Sequence, residues 1–271
     1  SGKYTPYEGY DLLEYRATIE ELNLIYQSGR FQELVEQCER EIDKRLEWVA
    51  LRIRDELPAN NKSFILVSGP TAVGKPIFTK RLIAATRKIR PHTRAYYLSS
   101  DNGNFSRFLK TITEAMSDDD MLFICGDNAL DKDFMSQFPR CNTFGIFVNT
   151  APSLKVAENR PFTSADLRLM RLILEEVHEG VNTLDIIQKW PQIRQEHIDD
   201  VYRNWVNALA TFNIQADYEL PYLMQATRDL LRKTRFEARQ VNDVKSQKII
   251  KDLFNLFNGF VDMPLIRTQD L

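Results

Sequence analysis

The stretch Phe64–Leu82, FILVSGPTAVGKPIFTKRL, carries the residues whose spacing most clearly indicates chemistry. Gly69, Gly74 and Lys75 match the pattern Gly, four residues, Gly, Lys, in which backbone N–H groups surround phosphates and the lysine reaches the β- and γ-phosphates. The pattern continues with Ser or Thr, whose hydroxyl holds magnesium, but this chain has Pro76 there. Proline fits the first turn of a helix, yet it supplies neither the hydroxyl nor an N–H. The stretch therefore predicts phosphate binding without predicting a magnesium site.

The segments around this loop are those that a phosphate site requires. The apolar run SFILVS precedes the loop and predicts a buried strand, and the residues after it predict an amphipathic helix. A plain turn is the alternative interpretation, but the order strand, loop, helix favours phosphate binding. The predicted binding residues are Gly69, Pro70, Thr71, Ala72, Val73, Gly74, Lys75 and Pro76.

The rest of the chain predicts an α/β fold. Apolar runs at 95–98, 121–125 and 143–148 alternate with helical stretches, which indicates a mainly parallel sheet flanked by helices. Apolar residues at helical spacing predict a helical N-terminal extension over 1–45, and the chain is again strongly helical from Ser164 to about 204 and near its end. We therefore predict an extension, 1–45, followed by one domain, 46–271. The extension is interpreted either as a dimerisation arm, giving a homo-oligomer, or as a cover for the sheet.

Composition excludes several function classes. The 271 residues are 43% hydrophobic and 27% charged with a net charge of -2, so nothing indicates a nucleic-acid or membrane surface. Cys38, Cys125 and Cys141 lie far apart without metal-ligand spacing, which is typical of reduced thiols in a cytoplasmic protein. The three histidines, including His197, are dispersed, and we expect surface or structural roles for them. No metal ligands are predicted.

Two C-terminal segments carry a family resemblance. SADLRLMRLILEEVHEGVNTLDIIQKWPQIRQ has an arginine-containing helical pattern before Trp190-Pro191, and ALATFNIQADYELPYLMQATRDLL contains Phe212-Asn213 and Tyr218–Pro221. Together with the loop, these segments resemble the bacterial uridine kinase and phosphoribulokinase-like family, over about 41–271. GPTAVGK alone also resembles the tRNA dimethylallyltransferases, but their downstream signatures are not apparent in this sequence.

The resemblance implies a phosphotransferase of the P-loop NTPase type that uses ATP or another NTP and acts on a nucleoside or a small hydroxyl acceptor. It implies that Asp101, in YYLSSDN, is the general base and that Lys75 is its catalytic partner at the phosphates. It further implies phosphate contacts for Arg168 and Arg171 and a position near the nucleotide for Arg194. From the sequence alone, a turn-forming role for Asp101 and a solvated helix face for the arginines stay open.

Four departures from the family pattern concern one mechanism. Pro76 removes the magnesium hydroxyl, and Cys125 stands where the family has a glutamate, with Asp127 two residues further on as a candidate substitute. In the family, the helix that corresponds to the one with Arg168 and Arg171 is a lid whose arginines clamp the transferring phosphate, but here its residues 175–179 are mostly acidic. Only 102–120 are available to build an acceptor pocket. Because phosphoryl transfer depends on positioning and charge neutralisation, these departures predict impaired kinase activity. The alternative is a non-catalytic nucleotide sensor or interaction module.

Overall fold

The structure is a computed structural model that describes residues 18–151 and 162–260. The chain divides into two compact units. Among the described residues, the first unit comprises Glu41–Asn149 and Glu196–Ile214, and the second comprises 18–40, Thr150–Gln195 apart from its undescribed part, and 215–260. The predicted boundary between residues 45 and 46 stays a prediction. The helices within 18–151 and 162–260 include none with the length and apolar character that a membrane span requires.

The first unit is built on a five-stranded parallel sheet in the order β2-β3-β1-β4-β5. Its strands are β1 (Ser63–Ser68), β2 (Ala95–Ser99), β3 (Met121–Cys125), β4 (Thr143–Asn149) and β5 (Ala210–Asn213). Strands β1, β3 and β4 are buried along their whole length, which explains why they read as continuous apolar runs in the sequence. The predicted short apolar segment near ATFNI is the edge strand β5.

Helices flank this sheet. They are the later part of α2 (Phe31–Glu56), α3 (Lys75–Ile89), α4 (Phe105–Ala115) and the single turn α5 (Lys132–Met135), followed by a π-helical turn (His197–Val201) and a 3₁₀ turn (Tyr202–Asn207). Side chains of α4 and α5 pack on a cluster that includes Leu66, Ile124 and Phe147. Phe78 of α3 packs on Phe212 of β5, with ring centres 4.9 Å apart.

The strand order identifies where a ligand is expected. Strand β1 lies between β3 and β4, so the chain runs to one side of β1 for β2 and β3 and then crosses to the other side for β4. Ligands of such sheets bind beyond the carboxyl ends of the strands where this reversal occurs, and the glycine loop begins directly after β1. The predicted α/β fold, with a P-loop NTPase-type parallel sheet flanked by helices, is confirmed.

The second unit is helical in the part that the structure describes. It contains α1 (Ile19–Gln27), the start of α2, α6 (Ser164–His178), α7 (Thr183–Glu196, except its last residue), α8 (Glu219–Gln240) and α9 (Val244–Phe257). Capping boxes begin two of these helices, with Thr18 and Glu21 at α1 and Thr163 and Asp166 at α6. The predicted helical C-terminal part is confirmed, and the helical start of the chain is confirmed from residue 19 onward.

Candidate phosphate-binding site

The glycine loop joins β1 to α3 through backbone conformations that the sequence accounts for. A Cβ at Gly69 would lie 2.2 Å from the carbonyl oxygen of Val148, so the neighbouring strand β4 leaves room only for glycine. Gly74 has a φ of 90°, in the left-handed region that glycine adopts without strain, and caps α3 without a side-chain hydrogen bond. Pro76 lies in the first turn of α3, as predicted. The positive end of the α3 dipole therefore faces the loop.

Lys75 turns back into the loop and is only 8% exposed along its side chain. Its Nζ donates to the carbonyl oxygens of Gly69, at 2.8 Å, and Pro70, at 3.0 Å. The same Nζ lies 2.7 Å from Oδ1 of Asp127. An ammonium group has three donor positions, and these three contacts use all of them.

Asp127 follows β3 and is aimed at the loop. Its backbone carbonyl accepts a hydrogen bond from Ser68 Oγ at 2.8 Å, which ties the turn after β3 to the end of β1. Its Oδ2 accepts from Thr71 Oγ1 at 3.0 Å, while Oδ1 contacts Lys75. The carboxylate therefore bridges the lysine and the threonine of the loop. The sequence indicated that Asp127 was near, but strand alternation left its direction undecided.

His197 also contacts the loop, which the sequence did not predict. The imidazole is 3% exposed, and its Nε2 accepts a hydrogen bond from the backbone N–H of Thr71 at 3.2 Å. Nε2 must therefore be the unprotonated nitrogen of the ring. The two residues are 126 positions apart in the chain, and only the return of the π-helical turn to the sheet brings them together.

Asp101 lies in the turn after β2, next to the turn after β3. A Cβ at Gly126 would be 3.7 Å from Asp101 Oδ1 and 1.6 Å from Ser100 Oγ, so the two turns touch. Burial raises the pKa of Asp101 most, repulsion from Asp127 raises it further, and Lys75 opposes the shift. A raised pKa makes a carboxylate a better general base. The Ser100 hydroxyl is buried and has no hydrogen-bond partner among the residues described.

Cys125 stands where the family resemblance implies a glutamate, but it does not supply a carboxylate. The thiol is buried, and its Sγ lies 3.1 Å from the Tyr97 hydroxyl. Burial raises the pKa of Cys125 above its ordinary value, although hydrogen bonds from Tyr97 and Thr79 oppose the shift. The group is therefore a protonated thiol at neutral pH, without a charge to offer a metal ion.

The residues around the loop do not fit a magnesium ion at the position that the family implies. Pro76 has no hydroxyl, Cys125 is uncharged, and both carboxylate oxygens of Asp127 are engaged by loop residues. Within 18–151 and 162–260, no group of three or more His, Cys, Asp or Glu side chains is arranged to hold a metal. Magnesium prefers several oxygen ligands in near-octahedral geometry, which this set does not provide.

The three predicted arginines lie in the second unit. Arg168 is 2% exposed, and its Nε donates to Ser164 Oγ at 3.2 Å. Arg171 forms a short, partly buried ion pair with Glu219. Arg194 is exposed on α7. A solvated helix face therefore describes Arg194 but neither of the other two, and phosphate contacts of all three stay predictions.

Comparison with known proteins adds little to this picture. No family model matches the chain, and no curated protein matches it. Among solved structures, polyphosphate kinase 2 from Arthrobacter aurescens TC1 is similar at 11% identity and a TM-score of 0.35, over 97% of this chain and 93% of that one. The parallel sheet and the loop after β1 are those of a P-loop fold, whereas the uridine kinase family specifically stays a hypothesis.

Proposed function

We propose that the first unit binds the phosphates of ATP or another NTP at Gly69–Pro76. The observation that carries this proposal is the buried Lys75, whose ammonium points into a glycine loop at the carboxyl edge of a parallel sheet. Such a loop offers backbone N–H groups and a helix N-terminus to phosphate oxygens, and the lysine supplies a positive charge.

The proposed reaction is transfer of the γ-phosphoryl group to a nucleoside or a small hydroxyl acceptor. Asp101 takes the proton of the acceptor hydroxyl while that oxygen bonds to the γ-phosphorus. The bond between the γ-phosphorus and the β–γ bridging oxygen breaks, and the nucleoside diphosphate leaves with that electron pair. Lys75 stabilises the negative charge of the phosphates. The acceptor class comes from the resemblance to uridine kinases.

Activity is expected to be impaired relative to such kinases. The site lacks residues that fit magnesium, and two carboxylates beside a single ammonium repel the charge of the transferring group. A second candidate is a non-catalytic nucleotide sensor or interaction module. The observation that favours it is that all three donor positions of Lys75 are already used within the chain.

The proposal also includes the assignments that rest on the resemblance and on composition. The P-loop domain is taken as 46–271, with Arg168, Arg171 and Arg194 as phosphate or nucleotide contacts. For Arg171 to bind phosphate, it would have to exchange Glu219 for the ligand. Three free thiols support a cytoplasmic location. Light scattering would show whether the protein is a homo-oligomer, as a dimerisation role of the N-terminal helices requires.

Kinase activity is tested by Mg²⁺-dependent ATP consumption against a panel of nucleosides. We expect slow turnover that Asp101→Asn abolishes, and a gain in turnover for Pro76→Thr, which restores the hydroxyl. Pro76→Thr combined with Cys125→Glu restores both residues of the family pattern. Comparing this double variant with Pro76→Thr alone distinguishes the gain from the hydroxyl from the cost of burying a glutamate beside Tyr97. Fast turnover by the unmodified protein contradicts the impaired-enzyme proposal, and turnover unaffected by Asp101→Asn contradicts the role of the base.

Nucleotide binding is tested separately by calorimetry with ATP and ADP, with magnesium and with a chelator. Binding without turnover supports the sensor. If neither the unmodified protein nor any variant binds a nucleotide under any of these conditions, the phosphate-binding proposal is wrong.

A further inference from the structure

Asp127 and His197 contact the glycine loop and have no part in the phosphoryl transfer proposed above. We infer that Asp127 and His197 determine the phosphate affinity of the loop, because they hold two donors that a terminal phosphate would use. These donors are the ammonium of Lys75 and the backbone N–H of Thr71. The inference rests on the proposed function, since it concerns how the same loop admits its ligand.

The lysine contacts show which partner a phosphate has to replace. Of the three acceptors around Nζ, two are backbone carbonyls of Gly69 and Pro70, which belong to the loop itself. The third is the carboxylate of Asp127, a side chain that is 33% exposed and can rotate. A phosphate oxygen therefore reaches the ammonium by displacing Asp127. The displaced carboxylate has the same sign of charge as the phosphate, so it moves away from the site rather than binding beside it.

Thr71 links the two residues. Its N–H is bound by His197 and its hydroxyl by Asp127, so both of its donors point to internal acceptors. Backbone N–H groups in such a loop normally bind phosphate oxygens, which are acceptors like the imidazole nitrogen. Phosphate and His197 consequently compete for one N–H, while phosphate and Asp127 compete for one ammonium.

This competition selects the class of ligand. An anion has to interact with Lys75 more strongly than the Asp127 carboxylate does. This requirement favours the multiply charged end of a di- or triphosphate over a singly charged anion. Inorganic tripolyphosphate and ATP share this chemistry, and the experiment compares the two sources. Acetate, with a single carboxylate, serves as the weak anion.

The central test is Asp127→Asn, which removes the charge and leaves a side chain of similar size. Affinity for ATP and for tripolyphosphate, measured by calorimetry with a chelator present, is expected to rise about 10-fold, the effect of losing one charge-assisted hydrogen bond. The matched control is Asp133→Asn, which removes an exposed acid of the same unit that contacts neither Lys75 nor Thr71. The control is expected to bind like the unmodified protein, and an equal rise in both variants overturns the inference in favour of a general charge effect.

The test of His197 uses two substitutions. His197→Phe keeps a planar ring but removes the acceptor, and is expected to raise affinity by about 2- to 10-fold, the effect of one ordinary hydrogen bond. His197→Gln can keep an acceptor near the same place and is expected to stay close to the unmodified protein. In the unmodified protein, ¹⁵N NMR should show an unprotonated Nε2 and a shift of the Thr71 amide when ATP is added. A loss of affinity in a folded Phe variant, or an unchanged Thr71 amide in a protein that binds ATP, overturns the role of His197.

The outcomes separate this inference from the proposed function. If the unmodified protein binds ATP and Asp127→Asn binds no more tightly, the inference is wrong and the function stands. If Asp127→Asn leaves the affinity unchanged with the chelator and weakens binding with magnesium, Asp127 supports a metal and the inference is again wrong. If only Asp127→Asn binds, the inference holds and the loop of the unmodified protein is closed to nucleotides. If neither binds, the proposed function fails first.

Discussion

Charged side chains serve different purposes in the two units. Around the loop of the first unit, two carboxylates lie near one ammonium, and repulsion from Asp127 contributes to the raised pKa of Asp101. In the second unit, the guanidinium of Arg168 is buried 5.5 Å from the ring centre of Trp190, and Asp243 is held by three hydrogen bonds at the start of α9. Charges in mutual repulsion are typical of functional sites, whereas charges tied into packing and caps are typical of structural ones.

The cations of the two units also differ in type, with Lys75 in the first and Arg168 in the second. Lysine is a compact point charge that exchanges partners readily, and one partner of Lys75 is a rotatable side chain. Arginine is planar and packs on aromatic rings, and Arg168 does so while bonding Ser164. We therefore expect substitution of Lys75 to act mainly on ligand binding and substitution of Arg168 to act mainly on stability.

The largest expected effect comes from Lys75→Met. It removes the only ammonium in the loop and should weaken ATP binding by about 10- to 100-fold, because charge-assisted hydrogen bonds to phosphate are lost. Calorimetry measures the change, and Lys88→Met, an exposed lysine near the end of the same helix, is the matched control. Equal losses in both variants would mean that the loop is not where ATP binds.

Arg168→Lys should reduce the stability of the second unit by roughly 2 kcal/mol, because a lysine reproduces neither the stacking on Trp190 nor the Nε hydrogen bond. Hydrogen exchange of α6 and α7 measures the effect in that unit alone. Arg194→Lys, at an exposed position, should stay within about 0.5 kcal/mol. If Arg168→Lys instead lowers ATP affinity at unchanged stability, Arg168 is the phosphate contact that the family resemblance implies.

The sequence predicted the elements that local patterns encode. Buried strands appear as short apolar runs, and Pro76 was correctly expected in the first turn of a helix because the N–H that proline lacks has no partner there. The sequence also contains a signal for the end of α6, but the prediction of a helical region over 164–204 did not include that end. Gly180 adopts a φ of 89°, and the next N–H, of Val181, bonds back to Glu176, as at many helix ends.

The loop contacts were not predictable in the same way. Asp127 lies in a turn, where no period fixes the direction of a side chain. The hydrogen bond between His197 and Thr71 joins segments that only tertiary folding brings together. A single sequence does not indicate which residue a dispersed histidine contacts. A surface or structural role was therefore predicted for His197, and its contact with the loop was not.

A smaller effect is expected for Asp243, the N-cap residue of α9, whose contribution to stability depends on pH. Asp243→Ala should destabilise α9 by about 1 kcal/mol, as for other N-cap residues, because the side chain accepts from the N–H and hydroxyl of Ser246. These hydrogen bonds lower the pKa of Asp243. A lowered pKa means that the stabilisation is present above the ordinary carboxyl range and is lost as pH falls through the folded-state pKa. Asp243→Asn should keep part of the cap and lose this pH dependence, which urea unfolding of the variants between about pH 2 and 7 would measure.

The smallest expected effect is the opposite pH dependence at Asp101. Its pKa is raised, so the folded state favours the protonated form, and its contribution to stability is present at low pH and lost as pH rises through the folded-state pKa. Asp101→Asn should therefore be slightly more stable than the unmodified protein at neutral pH and equal to it in acid. Asp127→Asn removes the repulsion that contributes to the shift, so it should lower the pKa of Asp101 and move the acid limb of any pH–rate profile to lower pH. NMR titration of the Asp101 carboxyl in the unmodified protein and in Asp127→Asn measures this change in pKa directly. If Asp127→Asn leaves the pKa of Asp101 unchanged, the two carboxylates do not repel each other measurably. The first unit then lacks the charge repulsion by which it was contrasted with the second.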